Sequence, residues 1–311
     1  MGNFRGHVAP GLAFCTIGFW HLFNHTRIHA ASPKTYVSLP WFPTRLSRHL
    51  ELYFIAAAAA TSISMELFIM PRRHHPLDTD ATIPANHLHN FEHSNISLSI
   101  LSYALFALLL DRLNPPAAGA LTHLLGVVML AQEFLLFHLH SADHAGLEGQ
   151  YHWLLQLVIF AALAATLASI RYPRSFLLSF ARSLAVAAQG VWLVVIGFML
   201  YTPALIPKGC LLAKDDGHDV IICDVASGAL DRAKSLANIL FSYYVVGVSA
   251  LGVAAYLVLY SIYSNDRQSR VAPAAAGIFS EDYNDSGGEE MKGFLHGELG
   301  NKGSSFPVPR T

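Results

Sequence analysis

Seven separate stretches of about twenty mostly apolar residues constrain this chain more than any other feature, since a bilayer-crossing helix needs about 20 such residues. They fall near residues 8–23, 50–70, 89–110, 117–139, 153–170, 183–202 and 236–263. Backbone N–H and C=O groups cannot stay unpaired in lipid, so stretches of this kind span as helices. The second stops at Pro71-Arg72-Arg73, the third at Asp111-Arg112, and the fifth at Arg171-Tyr172-Pro173-Arg174. The strongly apolar part of the third, 96–110, is too short to span alone, so this helix must begin among the histidines that precede it. The fold class expected is therefore all-α, a polytopic bundle of seven transmembrane helices over residues 1–263. Residues 264–311, rich in Ala, Gly, Ser, Asp and Glu without apolar period, are expected to form a disordered cytoplasmic tail. The first run lacks a strongly basic leader and a small-residue cleavage site, so it is expected to stay in the chain.

Composition agrees. Of the 311 residues, 53% are hydrophobic and only 13% charged, about half the charge of a soluble protein. Seven such helices in water would need a polar shell that this chain lacks. The net charge of −1 offers nothing to nucleic acid, and three cysteines cannot build a disulfide scaffold. The bilayer is the partner implied, with protein partners reached through helix faces or the tail.

Seven spans place the N-terminus and the even-numbered loops on one face, here termed the N side. Lys and Arg are slightly more frequent on the opposite side, which favours a cytoplasmic tail and a lumenal or extracellular N side. The N-side loop 203–235 carries Cys210 and Cys223, the two cysteines outside the spans, and an oxidising lumen would let them pair. Two free thiols are the alternative.

Histidine is the abnormal residue, with 17 copies against 20 Lys and Arg together. Most lie toward the N side, with the densest set at the entry of the third span, the exit of the fourth and the entry of the fifth. His89 and His93 share a helix face by their spacing of four, as do Glu148 and His152. Glu133 sits two turns before His140, and Glu66 near the end of the second span. A carboxylate inside a membrane is costly, so both glutamates should face the bundle interior. His89, His93, His140 and His152 are the candidate metal ligands, with Glu133 and Glu66 supporting them and His144 in reserve. Imidazole plus carboxylate suits zinc or another transition metal. The same set could relay protons, or form a structural polar network at the helix ends.

Other polar groups in the spans fit a packed bundle. Arg48 could pair with Glu51 at the start of the second span, or snorkel. Gly190 and Gly197 in the sixth, and Gly247 and Gly252 in the seventh, could admit close helix approach.

Several stretches together resemble the transmembrane protein 45 family, and most nearly its plant-type branch. They are Met1-Gly2-Asn3-Phe4-Arg5-Gly6-His7 with Pro10-Gly11, Asn86-His87-Leu88-His89-Asn90-Phe91-Glu92-His93, and Glu133 with His140 and His152. Arg182-Ser183, Gln189-Gly190, Trp192, Gly197-Phe198, Leu200-Tyr201 and Pro203 complete the set. The resemblance covers roughly residues 1–265. It implies a multi-pass protein of the Golgi, another endomembrane or the plasma membrane, without an established reaction and with no catalytic residues to carry over.

Three functions follow as expectations. The first is a non-enzymatic endomembrane protein with a His/Glu-rich cluster between helices 3, 4 and 5. The second is an intramembrane zinc hydrolase, by analogy of architecture with seven-helix ceramidase-type enzymes, although no HxxxD pair stands in the expected context. The third is a haem-binding electron carrier, which needs two histidines facing each other at one depth.

Overall fold

The computed structural model describes residues 4–69, 75–143, 146–215 and 218–281; the side chains of 140–143, 215, 218 and 265–281 lie outside that description. Seven helices follow one another: α1 Phe4–Ala31, α2 Leu50–Ser64, α3 Leu88–Leu113, α4 Ala118–Asp143, α5 Leu147–Arg171, α6 Phe176–Tyr201 and α7 Ala229–Glu281. Six contain stretches long and apolar enough to cross a membrane: Leu50–Ile69, Ala85–Leu113, Ala118–Leu139, Leu147–Arg171, Phe176–Tyr201 and Ala229–Ser264. The exception is α1. Its 28 residues rise about 42 Å, but it carries His7, His21, Asn24, His25 and Arg27. Three of these, His7, Asn24 and His25, turn inward and are buried with Thr26. The chain is thus a membrane-type helical bundle whose first helix lacks the long apolar stretch that the other six contain.

Local signals set the helix ends. Ser175 caps α6 by accepting from the Leu178 N–H. Asn114 closes α3 in the left-handed region at φ 45°, a conformation Asn tolerates. α2 ends in a π-helical turn, Met65–Ile69, which carries Glu66. α7 continues past residue 263, so the tail boundary expected at 264 falls inside a helix that ends at Glu281. The tail from 282 lies outside the described residues. The chain divides into two units, Met1–Arg267, which holds the bundle, and Gln268–Thr311, whose described part is the end of α7.

Sequential neighbours α2 to α6 pack pairwise, as short connections favour. The extensive pairing of α1 with α6 joins helices far apart in sequence. Glycines permit it. A Cβ on Gly18 would lie 2.2 Å from the Ala187 nitrogen, and one on Gly190 would lie 2.4 Å from the Cys15 nitrogen. Gly197 likewise faces Val8. On α7, Gly252 meets Leu184, while Gly247 faces open space and takes no part in close packing. The core centres on Trp192 of α6, which packs against Tyr151 of α5 and against Phe241 and Tyr244 of α7. On the outer face of α7, Tyr243, Val246 and Leu251 are exposed, as a lipid-facing surface requires.

The N-side connector between α6 and α7 departs from helix. Residues Cys210–Asp215 (β1) and His218–Cys223 (β2) form an antiparallel hairpin, which sequence periodicity did not announce. The β-branched run Val220-Ile221-Ile222 favours a strand here. Cys210 and Cys223 face each other at the open end of the ladder and are bonded through their sulfurs. Their Cα atoms are 3.9 Å apart, somewhat below the usual range of about 4.4–6.8 Å. At the opposite end of the bundle, the connector between α1 and α2 folds inward, burying Tyr36, Trp41 and Phe42.

Candidate functional site

Two polar nests mark the two ends of the bundle. At the N side, the start of α1 brings His7 against the start of α5. The Nε2 atoms of His7 and His152 are 3.2 Å apart, both rings are buried, and they stack with centroids at 5.4 Å. One Nε2 must donate while the other accepts. Glu148, one turn before His152, offers a carboxylate oxygen, and the three ligand atoms lie within 4.8 Å of one another. Among the described residues this is the group of three whose donor atoms could hold one ion. Tyr201, at the end of α6, donates its hydroxyl to Glu148 Oε1 at 3.3 Å and lies beside the His7 ring. Phe137 of α4 borders His152.

The sequence-nominated residues distribute over neighbouring positions. His152 joins the group just described. His89 and His93 stand edge to face on α3, with ring centroids 6.2 Å apart. His93 Nδ1 faces Glu66 Oε1 across 3.7 Å, and Asn90 donates to Glu66 Oε2 at 2.8 Å. Glu66 and Glu133 are both fully buried, but the partner of Glu133 is Gln189 of α6 rather than an imidazole. On α4, His138 Nδ1 donates to Gln156 Oε1 at 3.2 Å. The side chain of His140, and His144 altogether, lie outside the described residues. Sequence reasoning missed His7, because nothing local says that α1 meets α5. Glu148 was visible through its helical spacing to His152.

The opposite nest is built around Glu51 and Arg182. Glu51, in the first turn of α2, accepts three bonds. They come from Trp20 Nε1 (2.8 Å), from His21 Nε2 (2.7 Å) and from the Phe42 backbone N–H (2.9 Å). A helix N-terminus also favours its charge. Arg48 does not pair with Glu51 as expected. It forms a two-pronged pair with Asp111 at 2.8 and 2.9 Å, which holds its own guanidinium pKa above the usual value, and His49 adds a third bond to Asp111.

Arg182 donates from Nη2 to the Leu39 carbonyl (2.8 Å) and to His25 Nε2 (2.9 Å). A guanidinium only donates, so His25 Nε2 is the acceptor and its proton sits on Nδ1. That N–H faces the Tyr36 hydroxyl at 2.8 Å. Tyr36 lies in the connector, and burial pushes its phenol pKa up to about 12.

Between the nests runs a half-open cavity of about 1130 Å³, walled by α1, α2, α3, α4 and α6 and touched by Thr166 of α5. Its wall is mainly aliphatic, including Leu12, Ile17, Ile55, Ala58, Met129 and Val186. Arg5, Tyr201 and Asp219 line its N-side end, and His21, Glu51, His123 and Arg182 line the other.

Residues 119–257, from the start of α4 through most of the apolar part of α7, match the model of a family described as "Family of unknown function (DUF716)". The matched region holds Glu133, Glu148, His152, Arg182 and Tyr201, while α1 to α3 precede it.

Proposed function

We propose that this chain is a non-enzymatic integral membrane protein of the endomembrane system that holds a divalent transition metal, zinc foremost, at the N-side mouth of its bundle. The meeting of His7 and His152 beside Glu148 carries the reading. Two nitrogens bound tetrahedrally to zinc at about 2.0–2.1 Å stand about 3.3 Å apart. The separation of 3.2 Å is close to that with only small ring adjustment. Tyr201, bonded to Glu148, would orient the carboxylate in the way outer partners orient metal ligands. The same spacing disfavours haem between these two rings, because a bis-histidine iron with bonds of about 2 Å needs its nitrogens about 4 Å apart.

The endomembrane placement draws on the resemblance to the transmembrane protein 45 family. It draws also on the Cys210 and Cys223 pair, which an oxidising lumen on the N side would maintain. The matched family carries no described reaction. One observation favours the zinc hydrolase as a second reading: two histidines and a glutamate form a donor set that catalytic zinc sites use with a fourth position open.

The test is metal analysis of the full-length protein purified in mild detergent without chelator. About one equivalent of zinc per chain is expected, lost on chelation and absent from the His7→Ala/His152→Ala double variant. Protein that retains no metal and gains no thermal stability from added zinc would return the mouth to a structural polar network. Zinc-dependent cleavage of a ceramide by the same preparation would move the reading to the hydrolase.

A further inference from the structure

The cavity between the nests is elongated. From Phe4 to His21 its lining climbs α1 by about 25 Å at about 1.5 Å per residue. The wall suits a hydrocarbon chain, and the polar groups gather at the ends. A ligand of this shape needs a chain and a head, and the inner nest defines the head.

His123 of α4 lines that end and is 7% exposed. Its Nδ1 lies 2.9 Å from the Gly119 carbonyl, one turn back on the same helix. A carbonyl only accepts, so in the neutral ring the proton is on Nδ1 and Nε2 carries a bare lone pair. Nε2 is fully buried and has no hydrogen-bond partner among the described residues. A buried acceptor without a donor is costly, and because the ring that carries it lines the cavity, a small turn of the side chain would bring it to a donor lodged there.

The neighbouring groups restrict what can supply the donor. Glu51 already accepts three bonds and competes weakly for a fourth. Arg182 and Glu51 carry opposite charges within interaction range, so the nest as a whole attracts neither an anion nor a cation. An ester or ether oxygen cannot donate and would leave Nε2 as it is.

We propose that the cavity holds a neutral long-chain lipid whose head carries a hydroxyl group, with the chain lying between α1 and α2 and the hydroxyl donating to His123 Nε2. This stands apart from the metal reading, since it uses other residues at the other end of the bundle.

The experiment uses the full-length protein in mild detergent, with radiolabelled 1-oleoylglycerol as probe and scintillation proximity as readout. Oleyl alcohol, methyl oleate and oleate compete in turn. Saturable binding is expected, with oleyl alcohol displacing the probe about tenfold more strongly than methyl oleate, the worth of one buried hydrogen bond. His123→Leu should bring the two competitors within about twofold of each other while chain binding survives. Ala58→Trp, which fills the wall, should abolish binding of the probe. Should Ala58→Trp fail to fold, the wild-type ratio and its loss in His123→Leu decide the matter alone. Absence of saturable binding would overturn the proposal, as would methyl oleate matching the alcohol or a ratio unchanged in His123→Leu. Oleate as the tightest competitor would assign the head to Arg182 and overturn the neutral hydroxyl.

Discussion

Both ends of the bundle bury histidines, the N side carrying more of them in all, and the ends differ in what each buried histidine meets. At the Glu51 end, unlike groups face one another: a carboxylate against indole, imidazole and amide donors, and a guanidinium against a carbonyl and an imidazole lone pair. The Arg182 bond there fixes the His25 tautomer, and four chain segments meet in the nest: α1, the connector after it, α2 and α6. At the N-side mouth, like faces like. Two imidazole nitrogens point at each other beside a carboxylate. The first pattern stabilises a closed polar core. The second sets two imidazole nitrogens, which share a proton in the metal-free protein, and a carboxylate within 4.8 Å of one another, a donor set that a cation could take up by displacing that proton. Histidine content alone therefore does not mark a site; the polarity of the partners does.

The largest expected effect tests that distinction directly. Glu51→Ala leaves the Trp20, His21 and Phe42 donors buried without an acceptor. Breaking a buried charged network by removing one member costs about 3–5 kcal/mol. Fluorescence-detected size-exclusion after heating should show a strong loss of folded protein. In metal-free protein, His7→Ala should cost only about 1 kcal/mol, an ordinary single substitution. Equal losses from the two variants would break the contrast between the ends.

Much of the fold was legible because the bilayer imposes a length. Six of the helices announce themselves by apolar runs that no soluble design needs. α1 was expected as a shorter span, 8–23, because its ends are polar, and they are polar because they face the interior. His7 and Asn24 to Thr26 are buried, so their hydrophilicity reads as helix termini in sequence while serving as core in space. The burial of Glu66 and Glu133 followed from the cost of a carboxylate in lipid. Their partners did not, since Gln189 reaches Glu133 from a helix two places along the chain. The pairing of α1 with α6 sets both nests, and no connection length encodes it. The hairpin at 210–223 was hidden for a different reason: two strands of six residues on a membrane face carry too short a pattern to separate from a loop.

That α1–α6 contact gives the next expected effect. Gly18 sits between the nests on the one helix that serves both, and its missing Cβ would lie 2.2 Å from a backbone nitrogen. Backbone cannot rotate aside as a side-chain tip can. Gly18→Ala should therefore cost about 1–3 kcal/mol through overpacking. Because α1 carries His7 at one end and His21 and His25 at the other, both nests should loosen together. Hydrogen exchange of the amides near residues 7 and 25 reads this. Faster exchange at one end alone would mean that α1 does not couple the nests, and that they are independent structures.

The smallest expected effect carries the opposite sign. His123 resembles Glu51 in burial and depth but not in bonding, since Nε2 has no partner among the described residues while Glu51 has three. Replacing an unsatisfied buried polar group by an apolar one of similar size is neutral to stabilising. The bond lost with Nδ1 is a local one to the Gly119 carbonyl, which the helix ladder also uses. His123→Leu should thus leave the melting temperature of delipidated protein unchanged or raise it, by up to about 1 kcal/mol equivalent. In protein saturated with 1-oleoylglycerol the order should reverse, because the wild type then gains a bond that the variant cannot make. A clear destabilisation of His123→Leu without lipid would show that Nε2 is already bonded in the resting protein. The Glu51 nest would then be a closed core, and among the described residues the N-side mouth would be left as the place where the bundle keeps ligand-binding capacity.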